Sequence, residues 1–206
     1  MKLRKATLAD GPAVVALYRE AQAFLAAQGI DQWQDGYPNE ETFQEDVARG
    51  ESWVLEDEGQ VVATACLGLG REPTYDTIYQ GAWGTEAPEY AFLHRIAVSG
   101  ACKGKGAPSW FFQELERQAR ERGLPCLRGD THRENKIMQR VMEKNGLSCR
   151  GVIYLEDGGE RLAFEKLLNI LRGRKKGPAG PFFSLVLAVI SAAHTSAASW
   201  NPSSCP

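Results

Sequence analysis

The feature that most constrains the fold is a strand that leads directly into a glycine-rich loop and then a helix. Residues 90–98 are almost entirely apolar, which predicts a buried strand. Residues 99–109 contain three glycines, and Pro108 suits the first turn of the helix that follows. Glycines let a backbone approach an anion closely, and a helix N-terminus supplies free amides. The stretch therefore predicts a cradle for a phosphate or pyrophosphate, to which Lys103 and Lys105 add positive charge.

Two common phosphate-binding loops do not fit this stretch. A Walker A loop is excluded because no Gly-Lys-Ser/Thr closes it. A dinucleotide fingerprint is excluded because the third glycine and the acidic ribose partner are missing. An ordinary glycine turn with solvated lysines remains the alternative when the loop is taken alone.

The rest of the chain predicts one domain over residues 1–168, in which strands and helices are interleaved. The predicted strands are residues 2–7, 52–56, 60–69, 125–130, 148–155 and 160–167, and the predicted helices are residues 10–28, 39–49, 108–122 and 131–145. Asp10 is expected to cap the first helix. Thr131 and Glu134 form a T-x-x-E capping box, which places the start of the last helix there, and Gly146 closes it.

Residues 169–206 differ from this domain in composition. The segment holds four basic residues and no acid, and residues 177–206 carry no charge. Its apolar core, residues 182–193, is shorter than the about 20 residues of a membrane-spanning helix. We expect a disordered or non-native tail rather than a membrane anchor, with a helix that docks on a groove or a second subunit as the third option.

Charge and cysteine usage narrow the function classes. The net charge is −2, which gives no sign of nucleic-acid binding. The five cysteines are odd in number and contain no C-x-x-C pair, so neither a disulfide framework nor a cysteine-rich metal site is expected. The N-terminus lacks the apolar segment of a signal peptide. A cytoplasmic protein with reduced thiols is the expectation.

Four segments, taken in order, resemble the GNAT-type N-acetyltransferase superfamily. They are Leu93-His94-Arg95-Ile96-Ala97-Val98, the loop Lys103–Ser109, Asp130-Thr131-His132-Arg133-Glu134-Asn135 and Lys144-Asn145-Gly146-Leu147. The resemblance implies an α/β (α+β) GNAT-like fold, with a mixed, mostly antiparallel sheet of six to seven strands and about four helices. It also implies acetyl-CoA as the co-substrate, with no metal.

The resemblance places the cofactor on this chain residue by residue. The family loop, [QR]-x-x-G-x-[GA], binds the pyrophosphate of acetyl-CoA, with Lys103 at the Gln/Arg place and Gly106 at the first glycine. Pro108 departs from the pattern at the last place and has no amide to donate. The expected contacts are then Lys103, Gly104, Lys105, Gly106, Ala107 and Ser109 at the loop, and Ile96, Ala97 and Val98 along the pantetheine arm and acyl carbonyl. Asn135 matches an asparagine that contacts the cofactor arm, and a solvated polar residue is its alternative.

His94 is the candidate general base, because imidazole titrates near neutral pH. Simple alternation places His94, Phe92, Ile96 and Val98 on one face of the strand and Arg95 on the other, and a bulge near the loop would alter that phase. A histidine held by a backbone carbonyl is the alternative role. Met142 stands where many family members carry the tyrosine that protonates the leaving thiolate. Tyr154, another tyrosine or water is expected to serve instead.

The acceptor side is predicted from aromatic and acidic residues before the glycine loop. The resemblance implies that the loop between the first two helices and the segment before the signature strand shape the acceptor pocket. These segments hold Trp33, Tyr37, Tyr75, Tyr79 and Trp83, with Asp31, Asp35 and Asp76 nearby. Of these, Trp33, Tyr37 and Trp83 are the candidate substrate-binding residues. Aromatic faces and carboxylates suit a cationic amine, although aromatic side chains are core residues by default.

The sequence therefore predicts transfer of an acetyl group from acetyl-CoA to a primary amine of a small molecule, by direct attack on the thioester. The alternatives are a protein N-terminal or lysine acetyltransferase and a catalytically silent CoA-binding or sensory module. A membrane contact is disfavoured and would involve the tail only. A homodimer is left open.

Overall fold

The computed structural model describes residues 1–102 and 106–168, which contain one seven-stranded sheet and four α-helices. The strands are β1 (Lys2–Lys5), β2 (Ser52–Asp57), β3 (Gln60–Gly70), β4 (Tyr90–Val98), β5 (Cys126–Thr131), β6 (Ser148–Tyr154) and β7 (Glu160–Leu167), and the helices are α1 (Gly11–Ala26), α2 (Glu40–Ala48), α3 (Ala107–Glu121) and α4 (Lys136–Lys144). The order across the sheet is β1-β2-β3-β4-β5-β7-β6. The predicted mixed, mostly antiparallel sheet is confirmed.

The one parallel pair of this sheet, β4 with β5, is also its shortest. The pairing covers three positions and ends at Leu93 opposite Gly129. Strand β4 nevertheless continues to Val98, where it still pairs with β3. The two strands therefore separate after Leu93, and the edge of β4 that follows is open toward β5. This separation is what makes room for a cleft inside the sheet.

A β-bulge lies in β4 at the same place. Ala97 pairs with Thr64 and His94 with Cys66, so Arg95 and Ile96 together face one residue of β3. Arg95 has φ +53°. The bulge reverses the alternation of side chains. Ile96 then packs in the core under α3, as Val98 partly does, while His94 stays beside Phe92 on the other face. The expectation that all four residues share a face is wrong for Ile96 and Val98, because simple alternation assumes an unbroken ladder.

Helices cover both faces of the sheet. On one face α3 contributes Phe111, Phe112 and Leu115 to the largest core cluster. On the other face Tyr18 of α1 and Phe43 of α2 pack with the sheet residues Val54 and Ala97. Burying each such side chain contributes about 1.5–3 kcal/mol. A sheet covered on both faces gives the cleft a rigid frame.

Local hydrogen bonds explain where the helices start. They also correct the predicted caps of α4 and α1. Asn39 caps α2 by accepting from the Thr42 amide at 3.0 Å. Helix α4 starts later than the predicted capping box: Thr131 is the last residue of β5, and Asn135 is the cap. Thr131 is extended because it pairs with Leu162 of β7. Asp10 occupies the cap position of α1, but its side chain makes no cap hydrogen bond.

The part of the chain that the structure describes contains no helix with the length and hydropathy needed to span a membrane. The predictions for the tail, residues 169–206, lie outside the described residues.

Candidate active site

A cleft of about 1200 Å³ opens where β4 and β5 separate. Its walls come from α1 and the loop after it, from β4, from the end of β5 with the start of α4, and from the turn between β6 and β7. His94, Ile96, Val98 and Asn135 line it, together with Trp33 and Tyr37. The structure thus brings together six residues that the sequence selected from distant segments.

A relay of three side chains lies in the wall of this cleft. The Tyr75 hydroxyl lies 3.1 Å from Nε2 of His94 and donates to Oδ1 of Asp130 at 2.7 Å. His94 and Asp130 line the cleft, whereas Tyr75 is buried behind them. Each member comes from a different element: Tyr75 from the segment before β4, His94 from β4 and Asp130 from β5.

The hydrogen bonds of the relay assign the proton on His94. Tyr75 has a single hydroxyl proton, and Asp130 accepts it. The Tyr75 oxygen then accepts from Nε2–H, so the neutral ring carries its proton on Nε2 and keeps the lone pair on Nδ1. Among residues 1–102 and 106–168, no hydrogen-bond partner occupies Nδ1. His94 is therefore arranged to accept a proton at Nδ1.

Burial sets the charge states of the relay. It lowers the pKa of His94 below its ordinary value of 6.5, against the opposing charge of Asp130. Burial and the Asp130 carboxylate together raise the pKa of Tyr75 well above its ordinary value. At neutral pH His94 is thus uncharged and Tyr75 protonated, and Asp130 is placed to stabilise an imidazolium when one forms.

Sequence reasoning did not find the relay partners of His94. Asp130 ends a predicted strand, and the adjacency of β4 and β5 is the signal that could have pointed to it. Tyr75 lies in a segment without periodicity, where nothing in the sequence indicates that its hydroxyl reaches β4. Gln32 was also missed: it lines the cleft, and its Oε1 accepts from Nδ2 of Asn135 at 3.0 Å.

Trp83 is not among the residues that line the cleft, and its contact with substrate stays a prediction. Its indole Nε1 donates to the Tyr75 carbonyl at 2.8 Å. The guanidinium carbon of Arg128 lies 4.2 Å from the centre of its ring. Trp83 therefore packs behind Tyr75 and supports the relay from the core.

The lining of the cleft is acidic. Its carboxylates are Asp31, Asp35, Glu72, Asp130, Glu134, Glu156, Asp157 and Glu160. Three arginines oppose them, of which Arg95 is paired with Asp46 and Arg133 with Glu160. The excess of negative charge attracts a cation rather than an anion.

The start of α3 holds what the structure describes of the predicted phosphate cradle. Gly106 caps the helix with φ +72°, a conformation that glycine adopts without strain. Ala107 and Ser109 follow in the first turn, where amides have no partner inside a helix. Pro108, between them, offers no donor. Lys103, Gly104 and Lys105 lie outside the described residues.

The remaining expected contacts are distributed as follows. Ile96 and Val98 line the cleft, and the side chain of Ala97 is turned into the core beneath α1 and α2, which leaves only its backbone for a ligand. Asn135 uses Oδ1 to cap α4 at the Met138 amide, 3.1 Å away, and Nδ2 to hold Gln32. Its direct contact with the cofactor stays a prediction.

Position 142 carries no tyrosine, and the phenol of Tyr154 lies outside the cleft. Met142 is buried at the base of the cleft. Tyr154 lies in a neighbouring pocket, where its ring stacks edge-on against Tyr79. Of the tyrosines in the described residues, Tyr75 is the one bonded to His94.

One cluster in the described part of the chain has donors suited to a metal ion: Asp46, Glu51 and Cys66. Arg95 and Arg49 already donate to the Asp46 carboxylate. Burial raises the pKa of the Cys66 thiol to about 12, which disfavours the thiolate that a metal would need. The cluster functions as an ion-pair network.

Comparison with known proteins identifies the family. A model of the acetyltransferase (GNAT) family matches residues 13–147. The chain belongs to this family. The resemblance seen in the sequence is confirmed, and the family reaction is acetyl transfer from acetyl-CoA.

Solved structures of GNAT proteins agree with this assignment. A GNAT acetyltransferase from Streptococcus agalactiae is 34% identical, with a TM-score of 0.76 over 81% of this chain and 95% of that chain. The fold is shared with a ribosomal-protein-alanine N-acetyltransferase from Brucella melitensis (23% identity, TM-score 0.58, 82% and 100% covered). It is also shared with an acetyltransferase from Salmonella typhimurium solved with acetyl-CoA (19%, 0.56, 86% and 97%). No curated protein sequence matches the chain.

Proposed function

We propose that this GNAT protein is an N-acetyltransferase that transfers the acetyl group of acetyl-CoA to a primary amine of a cationic small molecule. His94 is the general base. The observation that carries the proposal is the relay from His94 through Tyr75 to Asp130 in the wall of the cleft. A neutral imidazole with a free Nδ1 and a partly buried carboxylate nearby is suited to taking a proton from an ammonium or amine.

The residues present fit acetyl-CoA. The open edge of β4 after Leu93 leaves backbone groups for the pantetheine arm, and the start of α3 offers amides to the pyrophosphate. Acetyl-CoA supplies the activated acyl thioester, which the amine attacks. The chain itself binds and orients the two substrates and holds the proton at His94, and this positioning supplies much of the rate.

The acceptor is proposed from charge and shape. The carboxylates of the cleft favour a cation, and the rings of Trp33 and Tyr37 in its wall suit one face of an ammonium-bearing molecule. Lys103 and Lys105 carry positive charge in the sequence and the lining of the cleft is negative, so we expect the anionic co-substrate and the cationic acceptor to be attracted by different residues.

The test combines binding and turnover on the full chain. Calorimetric titration with acetyl-CoA is expected to show micromolar binding that the variant Gly106→Glu loses, because a carboxylate at the cradle repels phosphate. Release of CoA thiol is then followed with a panel of mono- and diamines, amino acids and peptides. A small cationic amine is expected to give the highest kcat/KM.

The other outcomes separate the rival functions. Preference for a peptide N-terminus or lysine would mean that the acceptor is a protein and not a small molecule. Binding of acetyl-CoA without thiol release from any amine, unchanged in His94→Ala, would indicate a silent CoA-binding or sensory module. Absence of binding at millimolar acetyl-CoA would overturn the proposal itself.

A further inference from the structure

Arg95 combines a strained backbone with a buried charge at the edge of the cleft. Its φ of +53° lies in the left-handed region, which strains any residue other than glycine. Its side chain is only 10% exposed. Such a residue persists only when the contacts around it impose the conformation, so its partners indicate what the conformation is for.

The guanidinium of Arg95 joins three elements. Nε and Nη2 donate to the two oxygens of Asp46 on α2, both at 2.7 Å. Nη1 donates to the Tyr37 hydroxyl at 2.6 Å, in the loop between α1 and α2. The Asp46 side chain is 1% exposed. A two-pronged bond between buried charges is among the strongest polar contacts in a protein, and losing Asp46 leaves the Arg95 charge unpaired.

The position of this clamp in the chain relates it to both substrates. His94 and Ile96 are the immediate neighbours of Arg95, and both line the cleft. The bulge at Arg95 decides which residues after His94 face the opening between β4 and β5. Tyr37, at the other end of the guanidinium, belongs to the wall where the acceptor is expected.

We propose that Arg95 is a positioning residue that couples the two substrate sites. Its bond to Asp46 holds the bulge of β4, and with it His94 and the amides of residues 96–98. Its bond to Tyr37 fixes the acceptor wall against the same strand. The inference rests on the proposed function, since the two sites are those of acetyl-CoA and the amine. Lysine cannot replace this fork, because an ammonium presents no planar set of donors.

The experiment compares variants of the full chain by steady-state kinetics with both substrates varied. Asp46→Asn keeps the shape of the side chain and removes its charge; we expect about tenfold losses in kcat and in affinity for acetyl-CoA, because misplaced reacting groups are costly. Tyr37→Phe removes only the hydroxyl; we expect a several-fold higher KM for the amine and an unchanged KM for acetyl-CoA.

Asp10→Asn is the matched control. Asp10 accepts a similar two-pronged bond from Arg4, at 2.8 and 2.9 Å, beside β1 and away from the cleft. It is expected to lower the thermal midpoint and to leave both KM values and kcat unchanged. Amide hydrogen exchange of the ligand-free protein gives a second readout: residues 95–98 should exchange faster in Asp46→Asn and at the parental rate in Asp10→Asn.

The results separate this inference from the proposed function. If the parent binds acetyl-CoA and Asp46→Asn matches Asp10→Asn in kinetics and exchange, Arg95 is merely structural and the inference is overturned alone. If the parent does not bind acetyl-CoA, the proposed function fails and takes the inference with it. Should Asp46→Asn not fold, Arg95→Lys and Tyr37→Phe decide. A parental KM for the amine in Tyr37→Phe, or parental kinetics in Arg95→Lys, overturns the coupling.

Discussion

At the scale of single residues, the chemistry of the cleft depends on His94 being uncharged and correctly protonated. Burial keeps the ring neutral, and Tyr75 fixes which nitrogen carries the proton. Asp130 acts on His94 through the Tyr75 hydroxyl, which contacts both residues, and through its own negative charge. Each residue has an ordinary side chain, and only their arrangement makes a base of His94.

The first prediction concerns the base and its pH dependence. His94→Ala is expected to lower kcat about 100-fold or more, the usual contribution of a general base. In the parent, kcat should fall as the pH drops below 6.5 and His94 becomes protonated, because its pKa is lowered from that value. In Asp130→Asn this fall should move to lower pH, since the charge that raises the pKa of His94 is gone.

The measurement is kcat against pH between 4.5 and 9 with both substrates saturating. His132→Ala is the control, because His132 also lines the cleft but takes no part in the relay. A fall that persists unchanged in His94→Ala, or that disappears in His132→Ala, would contradict the assignment of the base.

At the scale of elements, the start of α3 shows how one residue sets the number of backbone amides that can donate to a phosphate. Gly106 allows the tight turn into the helix, and Ala107 and Ser109 present amides on either side of Pro108. Proline favours the first turn of a helix and at the same time deprives the cradle of one amide. Helix stability and phosphate binding therefore make opposite demands on this position.

The second prediction tests that opposition. Pro108→Ala adds an N–H donor and is expected to tighten acetyl-CoA binding about fivefold, which corresponds to one hydrogen bond of about 1 kcal/mol. Pro12→Ala is the matched control, since Pro12 lies in the first turn of α1, away from the cradle. Calorimetric titration of both variants decides: equal dissociation constants would mean that the amide at position 108 does not contact the ligand.

At the scale of the whole molecule, a buried ion network supports the relay from behind. Glu165 on β7 is fully buried and accepts from Arg128 at 3.1 Å and from the Gly84 amide at 2.6 Å. A Cβ at position 84 would lie 2.5 Å from the Glu165 carboxylate, so any larger residue there would displace that carboxylate. Arg128 packs on Trp83, whose indole holds the Tyr75 carbonyl. The relay thus depends on a chain of contacts that reaches across the sheet.

The third prediction measures this support. Glu165→Gln removes the charge and leaves Arg128 buried without its partner, so the free energy of unfolding should fall by about 3 kcal/mol. Glu121→Gln is the control: it breaks an exposed pair with Arg117 and should cost less than about 1 kcal/mol. Urea unfolding followed by fluorescence compares them, and equal midpoints for the two variants would show that the network adds no stability.

The sequence by itself determined the order of elements, the family resemblance and the residues of the cleft that lie in motifs. Periodicity indicated the strands and helices because side-chain alternation is a local property. Leu93–Val98 and the loop after it predicted a phosphate site because spacing and residue type suffice there. The expectations for His94, Trp33 and Tyr37 as residues of one cleft also came from motifs and composition.

Only the tertiary structure decided which residues contact the side chains of the site. Asp130 and Tyr75 reach His94 because β4 and β5 are neighbours and the segment before β4 folds back over them. The bulge at Arg95 reverses the alternation expected after His94, and the late start of α4 turns Asn135 into its cap. Trp83 packs, partly buried, behind Tyr75 for the same reason. Pairing between distant strands determines these outcomes, and local sequence patterns do not encode that pairing.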